Sequence, residues 1–192
     1  IAGALSKMLI IKGGTIDTIG TMMMIISLSL GAIVGEMLDL DGKMIHFGEW
    51  LKIKTGNAKD KKFVDGFVTA SLTVCIGAMA VVGSIEDGIH ADHSILFAKA
   101  ILDFVIILVM SATLGKGCLF SFVPVGLFQG TITLLASLIS PFITASAMSA
   151  LSYIGSILIF CVGVNLVFNT KIRVANLLPA LIVACICTVF PL

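Results

Sequence analysis

Long apolar stretches, each about twenty residues, alternate with short polar breaks along most of the chain. The runs at 18–38, 63–83, 94–114, 118–138, 148–168 and 174–192 are each of a length that crosses a hydrocarbon core of about 30 Å as a helix. Residues 84–93, 115–117, 139–147 and 169–173 connect them. The opening run, 1–11, would reach only about 16 Å as a helix, so it is read as the tail of a helix that begins before Ile1. A Lys12-Gly13-Gly14 turn follows it. Residues 43–62 differ from the rest. They intersperse Lys43, Lys52, Lys54, Lys59, Lys61 and Lys62 with Ile45, Phe47, Trp50, Leu51 and Ile53. This pattern predicts an amphipathic helix lying at a membrane interface, anchored by Trp50 and by lysines whose stems run along apolar surface.

The expectation is therefore an all-α, polytopic transmembrane bundle forming one membrane domain over 1–192. It has six full spans, a partial N-terminal helix and one interfacial helix. Composition strengthens this. Hydrophobic residues make up 58% and charged residues 12% of the 192, and mean hydropathy is +1.16. Soluble domains are about half apolar and a quarter charged. The net charge of +1 brings no basic, aromatic-interleaved patch, so nothing points to nucleic acid. The five cysteines are odd in number and lie in or beside apolar runs, which suits small packing residues better than a disulfide framework. Gly31 and Gly35 form a GxxxG match, a face for close helix contact that also leaves a homo-oligomer open.

Loop charge predicts orientation. Segment 39–62, Lys116, and Lys171 with Arg173 fall on one side and hold nine of the twelve basic residues. By the positive-inside rule that side is cytoplasmic, and Glu86, Asp87, His90, Asp92 and His93 face outward.

Counting residues from the loops then gives depth. Asp103 falls near the midplane with Lys99 one turn above, on the same helical face. Intramembrane charges are costly, which makes Asp103 the leading candidate for binding a small ion or polar metabolite, with Lys99 as its counter-charge. A self-neutralising pair that merely lets two charges enter the bundle is the plain alternative. Gln129 and Thr131 lie at similar depth, near Pro124, Gly126 and Gly130, which predict an interrupted helix with freed backbone groups. Glu86 and Asp87 are candidates for an outer entrance. Glu36, Asp65, Asn165 and Asn176 gather at the cytoplasmic ends as candidates for an inner mouth, or simply as caps and interhelical hydrogen bonders. The His90, Asp92, His93 cluster has metal-ligand side chains without a recognised spacing, so no metal is assigned. No nucleophile–base pair, phosphate loop or cofactor motif is present, and the expected function is non-enzymatic. Residues 156–167 with 175–183 weakly resemble 1–5 with 24–32, as an inverted repeat would.

Several segments together resemble a known family. They are Leu30-Gly-Ala-Ile-Val-Gly-Glu-Met-Leu-Asp-Leu-Asp-Gly, Phe47-Gly-Glu-Trp-Leu-Lys, Phe63-Val-Asp-Gly-Phe-Val-Thr-Ala-Ser-Leu and Cys75-Ile-Gly-Ala-Met-Ala-Val-Val-Gly-Ser-Ile-Glu-Asp-Gly. The match continues in Ser94-Ile-Leu-Phe-Ala-Lys-Ala-Ile-Leu-Asp, Gln129-Gly-Thr-Ile-Thr and Ile172-Arg-Val-Ala-Asn-Leu-Leu-Pro-Ala. The chain resembles the bacterial membrane family of domain of unknown function 554, the YqgA-like proteins. The resemblance implies a multi-pass protein of the bacterial inner membrane. It also implies a further apolar helix and a basic loop ahead of Ile1. It implies no activity. A transporter or channel-like protein is therefore the expectation from the residues, with the lipid bilayer and a small ion or metabolite as partners. The alternative is a scaffold or regulator acting through its lysine-rich loop.

Overall fold

Apolar helices with buried stripes of small residues dominate the computed structural model, which describes residues 9–12, 15–18 and 20–189. The chain divides into two compact units, 1–40 with 141–192 and 41–140.

In the first unit, strands β1 (Leu9–Lys12) and β2 (Thr15–Thr18) pair antiparallel, with Lys12 opposite Thr15. This corrects the helical reading of 9–11. Ile10, Ile11, Thr15, Ile16 and Thr18 are β-branched, and a two-residue connection beside them favours a hairpin. Residues 1–8 of the expected partial helix, and with them half of the inverted-repeat comparison, lie outside the described residues. Helix α1 (Thr21–Leu38) follows, and left-handed Asp39 ends it.

Ser27, Gly31 and Gly35 form the buried stripe of α1, spaced at four residues. That stripe lies against the C-terminal helix: a Cβ on Gly31 would meet the backbone of Ala180, and one on Gly35 the backbone of Asn176. The two contacts run in opposite senses along the chain, so the helices are antiparallel. The C-terminal segment consists of a 3₁₀ turn (Val174–Leu177) and a helix that starts at Pro179, where proline loses no needed N–H. Between them in sequence stands the long helix Ala145–Phe168, whose N-terminus is capped by Thr144 Oγ1 accepting from Ala147 N at 3.2 Å. The remaining faces of α1 expose Met22, Ile25, Ile33 and Met37, as a lipid-facing surface does.

The middle unit starts with α2 (Leu40–Lys54). The expected interfacial helix over 43–62 is thus shorter, because the chain turns at Thr55–Gly56: Thr55 Oγ1 donates to Leu51 O at 2.8 Å, and Gly56 is left-handed. Phe47 and Leu51 pack on buried Phe63 and Phe67, while Trp50 stacks on Phe47 and carries Lys54 Nζ 4.9 Å above its ring. Helices α3 (Phe63–Cys75) and α4 (Ala78–His90) are separated by a break at Ile76–Gly77 and bent by 63°. The polar stretch expected as a loop over 84–93 is therefore mostly helix. Glu86, Asp87 and His90 lie in the last turns of α4, and left-handed Ala91 ends it.

Helix α5 (Ser94–Leu114) matches its expected span. A 3₁₀ segment (Lys116–Ser121) leads into α6 (Phe122–Leu134), then α7 (Ala136–Ile139) and a 3₁₀ turn (Ser140–Phe142). The interruption expected near Gln129 is absent, since α6 runs through it. Pro124 falls in the first turn, where its missing N–H is harmless. Back in the first unit, Ala145–Phe168 is α8 and Pro179–Val189 is α9.

Among the described residues, four helical stretches are long and apolar enough to cross a membrane: Thr21–Leu38, Ser94–Leu114, Lys116–Leu134 and Ala145–Phe168. The bent pair α3–α4 makes a fifth if counted as one broken span. The apolar stretch Val174–Thr188 is shorter, so the structure supports four or five spans where six were expected. Substituting Gly35 by Val drives a side chain into the Asn176 backbone, which has no flexible end to yield, and should cost on the order of 3 kcal/mol. Gly126→Ala, which enters open space, should shift stability by no more than about 1 kcal/mol, and favourably. Thermal midpoints of the two variants in lipid nanodiscs check this ordering.

Candidate functional site

One buried charge organises the middle unit. Most of α5 is exposed apolar surface, including Phe97, Ile101, Phe104 and Val105, and its buried residue is Lys99. Lys99 Nζ donates to Asp103 Oδ2 one turn along the same helix, with 7% of the lysine and 18% of the aspartate side chain exposed. Their helix packs against both α3 and α4. Cys75, the last residue of α3, lies within electrostatic reach of both charges. On α4, Gly83 abuts Leu96 and Ile95, one turn from Lys99, so α4 and α5 run as an antiparallel hairpin. The site thus consists of an ion pair set beside an interrupted helix, whose ladder of hydrogen bonds stops at Ile76–Gly77. In a membrane, unladdered backbone of this kind is tolerated where protein or water satisfies it.

Gln129 and Thr131 stand apart from this pair. Helix α6 packs mainly on α4 and α3, whereas α5 packs on α4, α3 and the 3₁₀ segment Lys116–Ser121. Gln129 is half-buried, Thr131 is exposed and donates to Leu127 O at 2.6 Å, and no hydrogen bond joins either to Asp103 among the described residues. Sequence depth placed Asp103 and Gln129 at one level but could not show α4 beside both.

At the far end of the α4–α5 hairpin, Glu86 Oε2 pairs with His90 Nδ1 at 2.7 Å and Asp87 with His93. The side chains that suggested an outer entrance thus bind the hairpin's own histidines. Asp92 caps α5 by accepting from Ser94 N at 2.9 Å. Hydrogen bonds from the Ser94 side chain and backbone hold its carboxyl below the usual aspartate range.

The inner-mouth candidates separate by unit. In the first, Glu36 accepts from Arg173 Nη1 at 2.7 Å and from Asn176 Nδ2 at 2.5 Å, tying the end of α1 to the start of the C-terminal segment. Asn165 binds its own loop, accepting from Ile172 N at 3.0 Å and Thr170 Oγ1 at 2.7 Å and donating to Ile172 O at 2.8 Å. Asp65 belongs to the other unit, exposed in the first turn of α3. Arg173 and Cys75 were not among the sequence candidates. Arg173 was legible only as part of a basic loop, and Cys75 only as one of several apolar-run cysteines. A separate recess of about 510 Å³ lies between the starts of α1 and α8, lined by Gly20, Met23, Ser146, Ser149 and Tyr153 among others. Tyr153 hydroxyl approaches Met24 Sδ at 3.2 Å there, and among the described residues no charged side chain lines it.

These features define a helical protein with several apolar helices able to cross a membrane, one of which carries a buried ion pair. The family model described as protein of unknown function (DUF554) matches residues 2–189, and the chain belongs to that family. It is 28% identical over 160 residues to the uncharacterized membrane protein YdfK of Bacillus subtilis (strain 168), covering 83% of this chain and 66% of that relative. It is likewise 28% identical over 165 residues to the uncharacterized protein YqgA of Escherichia coli (strain K12), covering 84% of this chain and 70% of the relative. No solved structure matches the chain.

Two outcomes follow from this geometry. Lys99→Ala leaves the Asp103 carboxylate buried without its partner and should destabilise the protein by about 3–5 kcal/mol, whereas Lys99→Met with Asp103→Leu should restore most of that loss. Chemical denaturation in detergent compares the two. For Asp92, the depressed folded value favours the ionised carboxylate, so its support of α5 is complete above the ordinary aspartate value of about 3.9 and fades as pH falls through the lowered one. Amide protection factors at Ser94–Phe97 should be level at neutral pH and drop in acid, and Asp92→Ala should lower them throughout.

Proposed function

We propose that this protein carries a small ion or polar metabolite across the bacterial inner membrane, with Asp103 and Lys99 at the binding site. One observation carries the reading: a buried, oppositely charged pair on a lipid-facing helix is set against an interrupted helix in the same unit. Ionisable residues at membrane depth mark ion and substrate paths, and broken helices supply backbone groups that coordinate what passes. Gln129 and Thr131 would then belong to the walls of the path and not to the ion pair. Within the middle unit, Glu86 with Asp87 at the end of α4 and Asp65 at the start of α3 would stand towards its two ends.

Orientation follows the distribution of basic residues. Within the first unit, the Glu36–Arg173 contact brings the end of α1 to loop 169–173, and within the middle unit Gly115 lies beside Asp60 and Lys62. By the positive-inside rule, loop 169–173 in the first unit and the segment around Lys62 and Lys116 in the middle unit would face the cytoplasm, with Lys12 at the opposite end of α1. A second reading takes α2 as the working part. Its Trp50 and Ile53 are exposed beside Lys52 and Lys54, an arrangement suited to anionic lipid or a partner protein. Under that reading the Lys99–Asp103 pair is a packed strut.

A ligand screen by thermal stabilisation in nanodiscs, across inorganic ions and small polar metabolites, separates the two. At least one ligand should stabilise the wild type and lose its effect in Asp103→Asn, while replacement of Lys52, Lys54, Lys59, Lys61 and Lys62 leaves that effect in place. Identical behaviour of wild type and Asp103→Asn throughout the screen would overturn the transport reading.

A further inference from the structure

Between Lys52 and Lys62 the chain has five lysines and one acid, Asp60, and the next acids on either side are Glu49 and Asp65. Asp60 turns into its own loop, where its Oδ1 accepts from Lys62 N at 3.0 Å. Lys54, Lys59, Lys61 and Lys62 are exposed, and among the described residues none of them forms an ion pair. Ammonium groups gathered this way repel one another until an anionic surface meets them. We infer that this face, completed by Lys116, binds the phosphate groups of anionic phospholipids, with Trp50 and Ile53 entering the headgroup layer.

Tertiary contacts bring Lys116 to this face from far along the chain. Hydrogen bonds from Asn57 N to Lys52 O at 3.0 Å and from Asp60 N to Asn57 O at 2.9 Å keep the turn after α2 compact. A Cβ on Gly115 would lie 3.7 Å from Asp60 Oδ2 and 4.0 Å from Lys62 Cβ, and one on Gly117 would meet the Phe63 backbone. Lys116 stands between these two glycines and is exposed, so it joins the cluster around Lys62. It also joins two helical stretches of membrane-crossing length, Ser94–Leu114 and Lys116–Leu134. A lysine at such a junction lies where hydrocarbon gives way to water.

Of the partners to which α2 is suited, these positions favour lipid. Helix α2 buries Phe47 and Leu51 against Phe63 and Phe67 and leaves Trp50 and Ile53 on its open side, with Lys54 Nζ 4.9 Å over the indole. A free phosphate would pair with the lysines and leave both apolar side chains in water. An anionic bilayer takes both: its phosphates meet the ammonium groups, and indole rings favour the headgroup level. Each lysine near such a surface adds to the attraction, which salt screens within about a Debye length. Lipid binding here is independent of what Lys99 and Asp103 carry, and it requires no transport.

Trp50 is the one tryptophan in the sequence, so its fluorescence reports on this face alone. The full chain is reconstituted in phosphatidylcholine bilayers that contain a minor fraction of either phosphatidylglycerol or phosphatidylcholine with brominated acyl chains, which quench an adjoining indole. At low salt, brominated phosphatidylglycerol should quench Trp50 at about fivefold lower mole fraction than brominated phosphatidylcholine, and potassium chloride should remove most of the difference. Changing Lys59, Lys61, Lys62 and Lys116 together to Gln should abolish the preference while quenching by brominated phosphatidylcholine stays as in the wild type, the sign that fold and depth are intact. The same four changed to Arg should keep it. Inorganic phosphate, compared with chloride at equal ionic strength, should not displace the brominated lipid. Equal quenching of the wild type by the two lipids, or an undiminished preference in the Gln variant, would overturn the lipid assignment. So would displacement by inorganic phosphate, the mark of a site for the free anion. A Trp50 that aqueous iodide quenches and neither brominated lipid does would overturn it in favour of a soluble protein partner.

Discussion

Close approach of helix backbones is the constraint on which this protein depends. Lipid tails are as apolar as leucine, so burying apolar side chains against another helix supplies little drive inside a membrane. What remains is van der Waals contact at short range and a few polar links, and both need residues without bulk. Gly31 and Gly35 let α1 lie against Ala180 and Asn176, Gly117 lies against the Phe63 backbone, and Gly88 lies against Thr133. The large apolar side chains mostly face outward. In α5, Phe97, Ile101 and Phe104 are exposed while Lys99 is buried.

That inversion gives the Lys99–Asp103 pair its setting. Polar residues among those contacts bond either to their own helix or to one another in several cases. Ser71 and Thr73 return to their own helix, donating to Phe67 O at 2.6 Å and Thr69 O at 2.7 Å. Lys99 and Asp103 satisfy one another across one turn, on a helix packed against both halves of the bent pair. The Glu36, Arg173 and Asn176 cluster does similar work at the end of the other unit. There Glu36 and Arg173 are each more than half exposed while Asn176 is buried, so the ion pair tethers chain segments at little desolvation cost.

The pairing of Asp103 with Lys99 was legible from sequence because charged residues are rare in so apolar a run, and these two stand at i and i+4. The third element of the site was not. Gln129, with proline and glycine around it, looked like the interrupted helix, yet α6 is continuous there and the interruption falls at Ile76–Gly77. Pro124 sits in a first turn that forgives proline, whereas Gly77 has only one glycine's worth of signal in an otherwise apolar run. Likewise Glu86, Asp87 and His90 read as a polar loop, though an α-helix carries them, because a helix end in water tolerates the same residues as a loop.

The sequence by itself determined the class of protein, the positions of most of the long apolar helices, and which connecting segments are basic. These properties are set segment by segment: a run either is or is not long and apolar enough, and a loop either is or is not basic. Tertiary structure alone decided which helices touch, where a span is broken, and that the first strand pair replaces a helix. It also decided that α3 and α4 both lie against α5, so that Asp103 sits on a helix packed against both halves of the bent pair. Those outcomes depend on how each helix is rotated and how closely its backbone can approach another. Neither quantity is a property of one segment, so neither can be read along the chain.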